Sequence, residues 1–292
     1  ALETLQAELA QTQPELKSEL AILVCDSSDP VQLANLVNKT KVVISTVGPF
    51  ALYGSSLVAA CAVAGTHYCD ITGESDWVRE MVDRYDDTAR ESGARIVHFC
   101  GHDCVPWDLA VQAVAEKVAQ IGSGEQLRSV RCYDDMRGSA SGGTIATIFE
   151  SLQDRAKYTA TCCVDEASGK SFDPLLRESA PGQAKSSCTT KANNQSCCGY
   201  SAEGKAWVGP FVMAMVMANC VRRSNALLCY GPKLSYYEAA RFPNFAAAFV
   251  NMFGLILFGT ALSCPPLAWL LRTCCLPSPG QGEPLLMAHL WP

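Results

Sequence analysis

No C-x-x-C pair occurs in the 292 residues, although sixteen of them are cysteine. That absence excludes zinc ribbons and thioredoxin-type redox motifs, both of which need two thiols at that spacing. Charge is scarce as well: only 18% of residues are charged, the net charge is −6, and no block of lysine and arginine stands out. Nucleic acid is therefore not an expected partner. What the chain has in plenty is apolar surface, 49% of its residues, enough for a large core and too much for a disordered chain. No internal repeat and no signal peptide are visible, and the chain opens at Ala1 directly on a helix-like stretch, as if entered part-way through a fold.

The cysteines do not read as a disulfide framework, because the chain is long and its apolar supply ample. Three adjacent pairs occur, Cys162-Cys163, Cys197-Cys198 and Cys274-Cys275, and neighbouring cysteines seldom bond each other. Most are expected to be small buried hydrophobes in a reducing compartment. The sequons at Asn38 and Asn194 are then chance matches.

Periodicity organises the first 122 residues. LETLQAELAQ has helical apolar spacing, ELAILVCD reads as a buried strand ending at Asp26, and SDPVQLANLVNKT as a capped helix. KVVISTVG is a strand, YGSSLVAACAVAG a helix closed by Gly65, THYCDIT a strand, SDWVREMVDRYDDTARESG an amphipathic helix and ARIVHFC a strand. VPWDLAVQAVAEKVAQIG starts a further helix. Strands alternating with helices imply βαβ units and a parallel sheet buried on both faces. Ligands of such sheets bind at the carboxyl ends of the strands. Those ends are Asp26, Val47-Gly48-Pro49, Ile71 to Glu74, and Cys100 to Asp103. From Gly122 the pattern changes: a linker and strand, a Gly/Ser-rich lead into a helix, a loop-like stretch over 165–206, and a helix-like run WVGPFVMAMVMANCVRRSNALL.

HFCGHDC, residues 98–104, carries two histidines, two cysteines and an aspartate. Four ligands from seven consecutive residues would need a backbone wrapped tightly around the metal, whereas structural zinc sites join two separate pairs. No metal site is expected. A low-pKa thiol at Cys104 lacks a resolving partner, so a strand-to-helix turn hinged at Gly101 is the simpler reading.

Three motifs in order add a resemblance: Val47-Gly48-Pro49-Phe50 with Tyr53-Gly54, then Asp70-Ile71-Thr72-Gly73-Glu74, then Gly101-His102-Asp103-Cys104-Val105-Pro106-Trp107-Asp108. Together they resemble the saccharopine dehydrogenase-like oxidoreductases, the group that includes the trans-acting enoyl reductases. His102 and Cys104 depart from the commoner Phe and Ser of that pattern. The resemblance implies an α/β fold: a Rossmann-like parallel sheet over 1–122, binding NAD or NADP, then a mixed α/β substrate domain over 123–241. It implies an NAD(P)-dependent oxidoreductase of lipid metabolism. Cofactor contacts are expected at Asp26, Thr46, Val47, Gly48, Pro49, Phe50, Gly73 and Glu74. Asp103 and Asp108 flank the cleft as candidate catalytic groups, with helix capping or turn formation as their plainer reading. Gly101, His102, Ser141, Gly142 and Gly143 are candidate substrate contacts.

A Rossmann domain seats pyrophosphate on a glycine-rich turn after its first strand, and no G-x-G-x-x-G stands before Asp26. The first strand and that turn are thus expected to be missing, and the present chain to bind dinucleotide poorly. The competing expectation is a non-catalytic lipid-surface or scaffold protein that keeps the fold.

Residues 242–276 form an apolar segment in which no side chain from Phe242 to Leu271 is charged and Arg272 is the first that is. A helix from Phe245 to Cys264 would span roughly 30 Å, and Pro265-Pro266 would turn it back as a hairpin. Such a hairpin suits a membrane or lipid-droplet surface on its cytoplasmic face, with Trp269 and Arg272 at the interface. The alternatives are a buried helix pair in a cytoplasmic protein or an interface between copies of the chain. Residues 277–292 are a divergent tail.

Overall fold

The computed structural model describes residues 2–12, 21–122, 124–135, 142–153 and 188–276. Ser141 and the tail over 277–292 lie outside the described residues.

The first unit begins with α1 (Leu2–Thr12) and α2 (Pro30–Val37), the latter capped by Asp29, whose Oδ1 accepts from the Val31 and Gln32 amides. Then come β1 (Val42–Ser45), α3 (Phe50–Tyr53), α4 (Ser55–Ala64), β2 (His67–Asp70), α5 (Ser75–Ser92) and β3 (Ile96–Val97). The three strands form a parallel sheet in the order β1-β2-β3. α4 ends at Gly65 and α5 at Gly93, both in the left-handed region that glycine enters without cost. The core joins Val58 and Cys61 of α4 and Trp77, Val78 and Met81 of α5 to Tyr68 of the sheet.

Three expectations for this unit change. Residues 21–26 are not a strand, and Leu23 and Val24 are exposed, because no described strand pairs with them. The sheet is buried on one face only: Ser45, Tyr68 and Asp70 face the helices, while Val42, Ile44 and Val97 are exposed on the other side. Ile44 is 73% exposed. The cysteines are mostly not core residues. Of the eleven free cysteines described, only Cys61 and Cys104 are buried, and Cys69 sits beside Ile44 in the sheet register.

The second unit follows α6 (Val105–Ile121): β4 (Ser129–Asp134), α7 (Gly142–Gln153), β5 (Thr189–Ala192), β6 (Gly199–Ser201), β7 (Ala206–Gly209), α8 (Ala214–Leu228) and β8 (Lys233–Phe242). β8 is the spine of a mixed sheet, parallel to β4 on one side and to β5 at its start on the other, and antiparallel to β7 at its end. β6 extends the sheet beyond β7. The loop expected over 165–206 therefore holds β5 and β6 in its described part, since short polar strands leave little periodic signal. The helix-like run beginning at Trp207 opens as a strand instead, because Gly209-Pro210 breaks it before α8. Cys188 and Cys229 are bonded, tying the start of β5 to the end of α8. Their sulfurs are not free thiols, because β5 packs directly on α8.

The two units interlock through α8. The Asn219 amide donates to Ser75 Oγ at the start of α5, and the buried Arg222 donates to Asn219 Oδ1 at 2.7 Å. Last come α9 (Phe245–Leu262) and α10 (Pro265–Leu270), closed by a π-helical turn over Leu271–Cys275. α9 leans on β7 through Phe245 against Trp207, and Asn251 donates to the Pro210 carbonyl. Otherwise it is almost bare, with 6% of its residues buried. Arg272 turns back over the Phe149 ring of α7.

Candidate functional site

The glycine-bearing turns after β1, β2 and β3 meet. Glu74 is the joint: the Phe50 and Ala51 amides each donate to one of its carboxylate oxygens at 2.8 Å. Burial pushes the Glu74 carboxyl above its ordinary value, and the two amides act against that shift. The third turn is stitched to the second. The Cys100 amide donates to the Asp70 carbonyl at 2.7 Å, and a Cβ on Gly101 would lie 3.3 Å from the Ile71 Cβ. Asp70 accepts from the Phe99 and Thr72 amides, and His98 Nδ1 lies 2.6 Å from its Oδ2. Phe99 has φ 62, a left-handed turn that swings the chain out of β3. α7 reaches the same rim, where the Thr147 hydroxyl lies 3.4 Å from Glu74 Oε1.

The sequence-predicted residues distribute unevenly over this rim. Thr46, Val47, Gly48, Pro49 and Phe50 follow β1, with a cis Gly48–Pro49 peptide, and Gly73 stands beside Met213. Glu74, expected to contact a cofactor, has both oxygens occupied by the turn it holds. Asp26 is exposed and accepts from the amide and hydroxyl of Ser28, the plainer turn-forming reading. Gly142 and Gly143 open α7.

Asp103 and Asp108 do not share a site. Asp103 and His102 line a cavity of about 600 Å³ with Trp107, whose ring meets His102 edge-on. Asp108 points to the other side of α6, into a cavity of about 400 Å³ shared with His98, Arg223 and Ser224. Its Oδ2 accepts from the Ser224 hydroxyl at 2.7 Å, Oδ1 is buried without a partner, and burial pushes its carboxyl up. Asp103 stands in the turn before α6 and Asp108 in its first turn, so the chain carries the two carboxylates to different sides. The histidines and cysteines of residues 98–104 are likewise divided, with His98 held by Asp70 and Cys104 buried at the start of α6. No group of three metal-ligating side chains converges among the described residues.

The sequence reading missed two carboxyls, Asp134 and Glu238. Asp134 ends β4 on the floor of the larger cavity and is 3% exposed; Glu238, fully buried, pairs with Cys132 across the β4–β8 register. The signal was in SYYEAA, where Tyr236 and Glu238 occupy consecutive inward positions of a strand.

A parallel sheet whose trailing loops are sewn into one rim defines a Rossmann-like nucleotide-binding domain. Residues 1–97 match the family profile described as the saccharopine dehydrogenase NADP binding domain. The chain is 38% identical over 236 residues to a Mycobacterium tuberculosis protein assigned as a trans-acting enoyl reductase, covering 79% of this chain and 53% of that one. It is 34% identical over 239 residues to the trans-acting enoyl reductase of Mycobacterium ulcerans, covering 76% and 53%. With the Mycobacterium bovis trans-acting enoyl reductase it shares 32% over 241 residues, covering 74% and 52%. The chain thus spans about half the length of the curated relatives it matches. No solved structure matches.

The described residues do not fit the phosphates of a dinucleotide. The amides that open α3, the helix after β1, are spent on Glu74, and no glycine-rich turn of the G-x-G-x-x-G kind is among them. They supply the platform at the strand ends and not the phosphate cradle, so no chemical step is derived through the cofactor.

Proposed function

We propose that this chain carries the strand-end platform of an NAD(P)-dependent oxidoreductase acting on a lipid-linked substrate at the cytoplasmic face of a membrane or lipid droplet. The observation that carries the reading is the single rim made by the three turns, bordered by the larger cavity. In this reading the cofactor supplies hydride chemistry, and its phosphates rest on residues outside those described. Glu74 fixes the turn after β1, and Asp103, His102 and Trp107 shape the entrance to the substrate cavity. The family of the first domain and the names of the relatives support the redox class. The bare surface of α9 supports the lipid location, and the same surface is where two copies of the chain would meet.

The test is titration of NADPH into the full-length protein, followed by nicotinamide fluorescence. Saturable binding is expected. Absence of binding overturns the enzyme reading and leaves a lipid-surface protein that keeps the fold, a reading favoured by the capture of the α3 amides by Glu74.

A further inference from the structure

Buried carboxyl groups are ordinarily hydrogen-bonded, because stripping water from them without replacement is costly. At Asp134, which lines the larger cavity, and at its buried neighbour Glu238 this rule fails three times. Neither oxygen of Asp134 has a hydrogen-bond partner, and Glu238 Oε1 has none. Only Glu238 Oε2 is satisfied, by the Tyr236 hydroxyl at 2.9 Å. The Trp107 indole and the Glu238 carboxyl lie close enough to Asp134 to act on its charge, but neither is aligned to hydrogen-bond with it.

The walls around these acceptors narrow the choice of what meets them. Trp107, Phe211 and Met217 offer an apolar, polarisable lining. The carboxylates of Asp103, Asp134 and Asp135 join His102 and Tyr133 in the polar lining, and no lysine or arginine is among the described residues that line the cavity. An anionic ligand is repelled there. A cation with N–H donors answers both the unpaired acceptors and the negative lining, and an aromatic wall favours it further.

We propose that the cavity between the start of α6, the end of β4 and the start of α8 binds a protonated amine carried on an apolar body, with Asp134 as its ion-pair partner and Glu238, buried beside Asp134, as the proton store behind it. This is the cavity that the proposed function assigns to substrate, and amine binding there is tested without any redox readout. Burial and the Asp134 charge push Glu238 up to about 9, so at neutral pH it holds a proton that an arriving cation displaces. The groups facing this pair are Tyr236 and Cys132 on the sheet, Cys104 at the start of α6, His102 and Asp103 at the mouth, and Asp135 beyond β4.

The experiment is calorimetric titration of the protein at pH 7 with 2-phenylethylamine, 2-phenylethanol and 3-phenylpropanoate. The amine is expected to bind at least about tenfold more tightly than the alcohol, and the carboxylate not at all. Repeating the titration in buffers of different ionisation enthalpy should show proton release with the amine. Asp134→Asn should weaken amine binding about 10- to 100-fold; removing an unpaired buried charge does not threaten the fold. Glu238→Gln keeps the bond from Tyr236 and should retain amine binding within a few-fold while abolishing proton release. Equal binding of amine and alcohol, or an Asp134→Asn variant with unchanged affinity, overturns the proposal.

Discussion

Replacing Glu74 by glutamine sets an NH2 group against one of the two backbone amides that its carboxylate now accepts from. Glu74→Gln is expected to lose about 1–3 kcal/mol of stability, read as a lower urea midpoint at unchanged slope. Glu238 makes a pH prediction. Its carboxyl sits at about 9 in the folded protein, raised by burial and by Asp134, against 4.5 for the free group. The folded state therefore holds a proton that the unfolded chain releases. The stabilisation this gives is complete below the unfolded value, declines as pH rises and is gone above the folded one, on the order of 1 kcal/mol per pH unit between them. Denaturation at several pH values should show that slope, and Glu238→Gln should flatten it. At this scale the rim was legible, because its glycines and Glu74 come in contiguous motifs. The Asp134–Glu238 pair was not, since its members stand more than a hundred residues apart and only the register of β4 on β8 joins them.

Among the elements, the junction of α3 with α4 leaves least room for change. A Cβ on Gly54 would lie 2.7 Å from the Trp77 ring and 2.8 Å from the Phe50 carbonyl. Gly54→Ala is expected to cost about 1–3 kcal/mol despite the better helix propensity of alanine, measured by thermal or urea unfolding. α9 carries the lipid prediction. Phe249 and Phe253 stack along one exposed side, and Phe253→Asp should lower co-flotation with phospholipid vesicles at least about tenfold while leaving the fold intact. Helices with cap signals, such as α2, α4 and α5, could be read from the chain almost to their ends. Residues 21–26 could not: their apolar run has the composition of a strand, but a strand exists only where a neighbour completes its hydrogen bonds.

Across the whole molecule, the parallel sheet is clothed on one side. α2, α4 and α5 cover the face carrying Ser45, Tyr68 and Asp70, while Val42, Ile44 and Val97 remain open opposite. α1 is likewise unburied, with Leu2, Leu5 and Leu9 exposed. A hydrophobic dye is expected to bind the folded protein, and Ile44→Lys should reduce that signal while changing stability by no more than about 0.5 kcal/mol. The order of strands and helices was legible from alternation alone. Coverage was not, because a continuous apolar run states that a strand wants burial on two sides and is silent on whether it gets it. Cells recognise uncovered apolar planes of this kind through chaperones and proteases. The lifetime of this polypeptide is then governed by how quickly that plane is shielded, and the shield, more than the rim at the strand ends, decides how much of it accumulates.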